Sequence, residues 1–331
     1  MNQEHPFAQY VRILGRGKNV SRSLKFEEAE AAMSMILEGN VMPEQLGAFL
    51  MLLRIKEETP EEIAGFVQAS KNAFDIPQGA ADVDLDWSSY AGKKRQLPWF
   101  ILSALALADS GVKIFMHGAE GHTPGRLYTR QVMQDLGLPV VSTLTQATST
   151  IADQGMAFMP LADLSPKLEK IINLRPILGL RSPVHTIARM LNPLNAPYMM
   201  QGIFHVGYMD IHQGAAQILN QPHMAVFRGE GGEIERRPNK SLDVKTVHAG
   251  EMATEEWPPM LPEPRQPIDK ELNVARLQSV WRGDEEDTFV DAAVTGTIAI
   301  VLKMMQKASS IEEATALSEQ IWLARNRQRI R

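Results

Sequence analysis

The stretch from Gly111 to Leu136 constrains the fold most. Gly111 to Phe115 is an apolar run that reads as a buried strand, and Arg126 to Leu136 reads as a helix. Between them lies Met116-His117-Gly118-Ala119-Glu120-Gly121-His122-Thr123-Pro124, with Thr123 where an N-cap belongs and Pro124 at the first helical position. A glycine-containing turn from strand to helix suits a phosphate, because the N–H groups at a helix start are unpaired. It also suits a plain connection. Further strands are expected at 83–87, 138–141, 156–159, 198–206 and 224–228, with helices at about 98–109, 145–154 and 209–220. This alternation predicts an α/β protein with a central, mostly parallel sheet. Residues 25–72 are helical throughout, with Thr59-Pro60-Glu61-Glu62 opening one helix as cap, first-position proline and dipole-matched acids. Two more helices close the chain, at about 287–306 and 311–325.

Composition excludes several chemistries. The 331 residues include no cysteine, so disulfides, thiolate metal sites and a cysteine nucleophile are ruled out. The eight histidines show no metal-ligand spacing, and no metal site is expected. No apolar run is long enough to span a membrane and no signal pattern opens the chain, which gives a cytoplasmic expectation. The formal net charge of −5 rules out a chain that is basic all over, but not a local basic groove.

Cations gather in three places. Arg12, Arg16, Lys18, Arg22 and Lys25 face one acid, Glu4, in the first 25 residues. Lys93, Lys94 and Arg95 follow Gly92 in a loop before a helix, an arrangement that suits an anion as well as a solvated turn. Lys167, Lys170 and Arg175 precede Arg181, His185 and Arg189, which are spaced four apart. On a helix, that spacing lines them along one face at intervals of about 6 Å, comparable with backbone phosphates. The bland alternative is a solvated face. Single-strand stacking would need exposed aromatics; Tyr90, Trp99 and Tyr128 are candidates, though each also suits a core. The proline-dense stretch 252–268 reads as an extended surface loop, which a protein-interaction scaffold could use.

The segment Phe26 to Ala69, and Gly179-Leu180-Arg181-Ser182-Pro183 through Asn192-Pro193, resemble anthranilate phosphoribosyltransferase, a glycosyltransferase family 3 fold of nucleoside phosphorylase type. The resemblance runs over about residues 25–325. It implies a small all-helical domain, 1–78, completed by a helical insert at 165–195. It also implies a larger α/β domain in two parts, 79–164 and 196–331, and a homodimer joined through the helical domain. The active-site motifs do not carry over. The family's Gly-Thr-Gly-Gly-Asp loop, which holds phosphoribosyl pyrophosphate, is matched by Tyr90-Ala91-Gly92-Lys93-Lys94, with Lys93 in place of the acid. Its Lys-His-Gly-Asn turn reads Met116-His117-Gly118-Ala119, and its metal-binding Asp-Glu pair aligns with Ile234-Glu235. Arg175 matches the arginine that contacts anthranilate.

Scaffold kept and motifs lost resemble the YbiB-type paralogues, whose members bind nucleic acid. Gly15-Arg16-Gly17-Lys18-Asn19, Tyr90-x-Gly92-x-x-Arg95 and Arg181-x-x-x-His185-Thr186 fit that group. The resemblance implies nonspecific binding of single- or double-stranded nucleic acid. Lys93, Lys94, Arg95, Lys167, Lys170, Arg175, Arg181, His185 and Arg189 are the expected phosphate contacts. Tyr90, Gly92, His117, Gly118 and Arg175 would form a vestigial substrate pocket. No catalytic residue and no cofactor are expected. The alternative is a glycosyl or phosphoribosyl transferase with a changed substrate, which would need magnesium.

Overall fold

The computed structural model describes residues 4–17, 19–78, 82–269 and 271–330. Lys18 and the expected domain boundary at 78/79 therefore touch residues outside this description. Four helices come first: α1 (Ala8–Gly15), α2 (Phe26–Glu38), α3 (Pro43–Lys56) and α4 (Pro60–Asn72). The α4 start is built as its sequence suggests: the Thr59 hydroxyl accepts from the Glu62 N–H at 3.2 Å, and Pro60 needs no partner for a missing N–H. α4 packs on α2, on the helix Met209–Ile218 and on the short helix Val184–Arg189.

The rest is one seven-stranded sheet in the order β3-β2-β1-β4-β5-β6-β7. Its strands are β1 (Leu85–Ser89), β2 (Ile114–Gly118), β3 (Met156–Pro160), β4 (Tyr198–Ile203), β5 (His223–Arg228), β6 (Leu242–His248) and β7 (Glu251–Trp257). β1 to β5 pair in parallel; β6 and β7 add on antiparallel. Buried residues on alternate positions face opposite sides. Phe115, Ala157, Met199 and Val226 join a core shared with α1–α4. Ile114, Met116, Phe158, Met200 and Phe227 join a core with α5 (Phe100–Asp109) and the helices Thr288–Met304 and Ile311–Ala324. Covering both faces is what lets β3 and the middle of β5 be apolar on both sides. Among the described residues no helix is long and apolar enough to cross a membrane.

Three local expectations change. Thr123 caps nothing: the helix after β2 runs only from Thr129 to Asp135, and Tyr128 holds the cap position. The Thr123 hydroxyl instead accepts from Arg175 and Arg181, so the turn is tied to the helical segment behind it. Residues 138–141 form no strand; one bridge joins Val140 to Phe158. Stretch 252–268 is not wholly a loop, since Glu251–Trp257 forms the edge strand β7 and the prolines start at Pro258.

Candidate functional site

The loop after β1 bends its amides toward the turn after β5. The Glu233 Oε1 accepts from the N–H groups of Ala91 at 2.7 Å and Gly92 at 2.6 Å. Two residues on, Glu235 accepts from the Lys93 ammonium at 2.5 Å and from the Phe100 N–H, at the start of α5, at 2.9 Å. Ile234, between the two acids, goes into the sheet core. Two glycines make room for this approach. A Cβ on Gly202 would sit 2.2 Å from the Glu233 carbonyl oxygen, and one on Gly229 would sit 1.6 Å from it. Burial raises the Glu233 carboxyl, and pushes Glu235 up to about 7 against the pull of Lys93. Lys93 and Glu235 are each only 1% exposed, so Lys93 is a core residue and not the surface cation its neighbours suggest.

Magnesium has little to hold here. Glu235 has both oxygens engaged, one of them by an ammonium, and Ile234 offers no oxygen. Among the described residues no three His, Asp or Glu side chains gather as a metal needs.

Beside this filled loop lies an open cavity of about 420 Å³, at the C-terminal ends of β1, β4 and β5. Lys94, Arg95, Arg126, Arg228 and Arg237 line it, with the stem of the paired Lys93 and with Glu230 as the only acid in the lining. None of these five cations makes an ion pair among the described residues. Arg126 donates to the carbonyls of Ala91 and Gly92, which leaves its charge unmatched. Arg237 Nε is buried without a partner, and its guanidinium is destabilised by burial and then by Arg228. Phe204 and Ile268 complete the wall.

The predicted cation row does not form a surface stripe. The helix begins at Val184, so Arg181 lies before it. Arg181 is exposed and donates to Thr123. His185 is buried with its ring 5.0 Å from that of His122, and burial drives it well below its usual pKa. Arg189 turns inward, donating to the carbonyls of Gly202 and His185 and lying over the Tyr90 ring. Only His185 and Arg189 of the row lie on the helix, and they meet the His122 and Tyr90 rings rather than solvent. Lys167 and Lys170 are exposed, although Lys167 donates to the Leu37 carbonyl. Arg175 is half-buried and holds His122 O and Thr123 Oγ1. His117 is sealed in a chain from the Tyr90 hydroxyl at 2.7 Å to Asp86 at 3.3 Å. Gly118 packs against Ser89 without space for a side chain. Tyr90, Trp99 and Tyr128 are all buried, so none can stack on a base.

The helical bundle domain of a glycosyl transferase family matches residues 8–73, and the family's a/b domain matches residues 101–322. The chain belongs to this glycosyl transferase family. An uncharacterized protein of Aquifex aeolicus is 32% identical over 73% of each chain. The uncharacterized protein YbiB of Escherichia coli is 29% identical over 56% of this chain and 59% of its own. An anthranilate phosphoribosyltransferase of Anaeromyxobacter is 30% identical over 62% of this chain and 60% of its own. The match thus spans about three fifths of the last two relatives. Among solved structures, the anthranilate phosphoribosyltransferase of Thermus thermophilus superposes with a TM-score of 0.79 at 20% identity, covering 98% of this chain and 96% of that one. The Saccharomyces cerevisiae enzyme in complex with PRPP and Mg gives 0.76 at 16% identity, covering 99% and 96%. At these identities the likeness is one of fold.

Within this family chain, sequence reasoning missed Arg126, Phe204, Arg228, Arg237 and Glu233. Arg228 and Arg237 flank the Gly229-Glu230-Gly231-Gly232 turn, and a turn edged by arginines was the available signal. Glu233 carried none, because its partners stand 141 and 142 residues away.

Proposed function

We propose that this glycosyl transferase family member binds nucleic acid through phosphates, using the cations of the open cavity, and does not run phosphoribosyl transfer. The observation that carries this reading is the placement of Glu233 on the Ala91 and Gly92 amides. That loop matches the one the transferases use for pyrophosphate, and a buried carboxylate already takes the hydrogen bonds an anion would take. Lys93 is paired with Glu235, while Lys94, Arg95, Arg126, Arg228 and Arg237 make no ion pair among the described residues, the first two exposed and the three arginines half-buried at the cavity wall. Unmatched cations at one rim favour a polyanion, and contact through phosphates carries little sequence information. Exposed Lys167, Lys170 and Arg181 would lengthen the path. Pairing of two copies through the helical bundle, where Val20, Ile55, Ile177 and Leu180 are exposed, would double it.

The test is a salt titration with a labelled single strand and a duplex of equal length. Tight binding that falls linearly in log–log form supports the reading, and the Arg95→Glu/Arg228→Glu pair should weaken binding to every sequence alike. No binding at low salt removes it.

A transferase with altered substrate is the second reading. It is favoured by the cavity lying outside the carboxyl ends of parallel strands, where open α/β sheets take ligands. Product formed from phosphoribosyl pyrophosphate, magnesium and an amine acceptor would establish it.

A further inference from the structure

The cavity holds more than charge. Phe204 is the first residue after β4, and it is 51% exposed in a protein whose other large aromatics are mostly buried. Its ring lines the cavity together with Ile268, itself 65% exposed. The Arg228 guanidinium lies 5.8 Å from the ring centroid, and His205 meets the ring edge-on at 5.0 Å. An aromatic ring with a planar cation over one of its faces, and four more cations without ion pairs around it, make a mixed apolar and positive lining. A phosphate alone needs no aromatic wall. A purely apolar ligand would strand the cations. A unit that presents one flat apolar face and one anion satisfies both. The volume, about 420 Å³, is of the order of small-molecule sites, roughly 300–1,000 Å³.

We propose that the cavity takes one unpaired nucleotide of a strand, its base stacked on Phe204 and its flanking phosphates on Lys94, Arg95, Arg228 and Arg237. The proposal rests on the nucleic-acid reading above and deepens it: a paired base has both faces covered and cannot enter, so this subsite favours single strands. Stacking is tolerant of sequence because every base has a flat face, so the subsite adds strand selectivity without base selectivity.

The experiment compares the full chain with Phe204→Ala and Phe204→Trp on a labelled dT strand, a duplex of equal length and free dTMP. Loss of one base–aromatic stack should weaken strand binding about ten-fold in Phe204→Ala, within the range of about 5- to 160-fold known for such contacts. Phe204→Trp should restore it. Duplex affinity and the salt slope should stay as in the parent, because no phosphate contact is removed. Equal loss on strand and duplex, or no loss on either, overturns the stacking subsite and leaves phosphate binding standing. A parent that binds neither strand nor duplex overturns both readings. dTMP bound as tightly as the strand makes this a free-nucleotide site and overturns the strand proposal. A change of oligomeric size in Phe204→Ala, with Phe204→Trp failing to rescue, marks Phe204 as a contact between copies and overturns it as well.

Discussion

Lys93 and Lys94 are neighbours in sequence, yet they belong to two regions that treat positive charge in opposite ways. Around Lys93 the chain buries charge and matches it. Glu235 takes the ammonium and the Phe100 N–H, and Glu233 takes two amides. Around Lys94 and Arg95 it gathers five cations, two exposed and three half-buried, and gives none of them an ion pair among the described residues. The difference comes from the turn after β5. Gly229 and Gly202 let residues 229–235 fold down onto the β1 loop, which carries both acids inward and leaves Arg228 and Arg237 at the rim. The same few residues thus fill the β1 loop and leave the cation-lined cavity beside it.

The largest effect should come from stranding the buried cation. Glu235→Leu leaves Lys93 desolvated without a partner, which costs about 3–5 kcal/mol when a buried pair is broken from one side. Urea unfolding reads this directly. Adding Lys93→Met should recover most of the loss, since replacing both partners with apolar groups is often neutral. A single variant within about 1 kcal/mol of the parent would mean the pair is solvated, and the contrast with Lys94 would collapse.

Glu233→Ala should cost less, about 1–2 kcal/mol, because two amides lose an acceptor while Glu233 Oε2, itself buried without a partner, is removed. The informative readout is binding. Inorganic pyrophosphate should raise the melting midpoint of Glu233→Ala and leave that of the parent unmoved. Absence of a shift in the variant would show that the amides are not an anion cradle once freed.

Much of the frame was legible in the chain because it rests on local period. The βαβ alternation, Thr59 at its cap and the buried character of Met116 and Phe158 follow from neighbours within a few residues. The site was not, because its bonds are long-range. Arg189 obeys the helical spacing that suggested a surface row, but spacing says which residues share a face and not what covers that face. Thr123-Pro124 carries a good capping signal, and yet its hydroxyl serves two arginines from 52 and 58 residues further on. Lys93 and Lys94 cannot be told apart from sequence at all; only the fold of Glu235 separates them.

Two buried groups of the filled region should respond to pH with opposite sign. His122 Nε2 donates to the Tyr90 carbonyl at 2.9 Å in the filled region, and His185, Arg181, Arg189 and Arg126 surround it. Burial lowers its pKa to about 4, with those arginines adding to the effect. The unfolded chain takes up this proton near pH 6.5, while the folded chain refuses it until about pH 4, so stability present above 6.5 is lost as pH falls. From pH 7 to pH 5 the parent should lose about 1–2 kcal/mol more than His122→Asn. Glu235 runs the other way. Its folded value, about 7, lies above its ordinary 4.5, so its contribution is full below about 4.5 and is lost as pH rises toward 7. Paired melting curves for His122→Asn and Glu235→Gln across pH 5 to 7 separate the two slopes, and slopes of equal sign would refute the assignment.

The smallest effect on stability, and the closest test of the comparison, belongs to Lys94→Ala. Lys94 is exposed and unpaired, so its loss should change unfolding by less than about 0.5 kcal/mol, where Lys93→Ala strands a buried carboxylate and costs several-fold more. Binding should rank the two in reverse. Removing one phosphate contact should lower the log–log salt slope by about 0.7 on a single strand or 0.9 on a duplex in Lys94→Ala. Lys93→Ala, assayed at a temperature where it stays folded, should keep the parent slope because its ammonium, though its stem lines the cavity, is held by Glu235 and is only 1% exposed. If both variants lost the same slope, Glu235 would not be neutralising Lys93, and the filled and open regions would be one continuous anion surface.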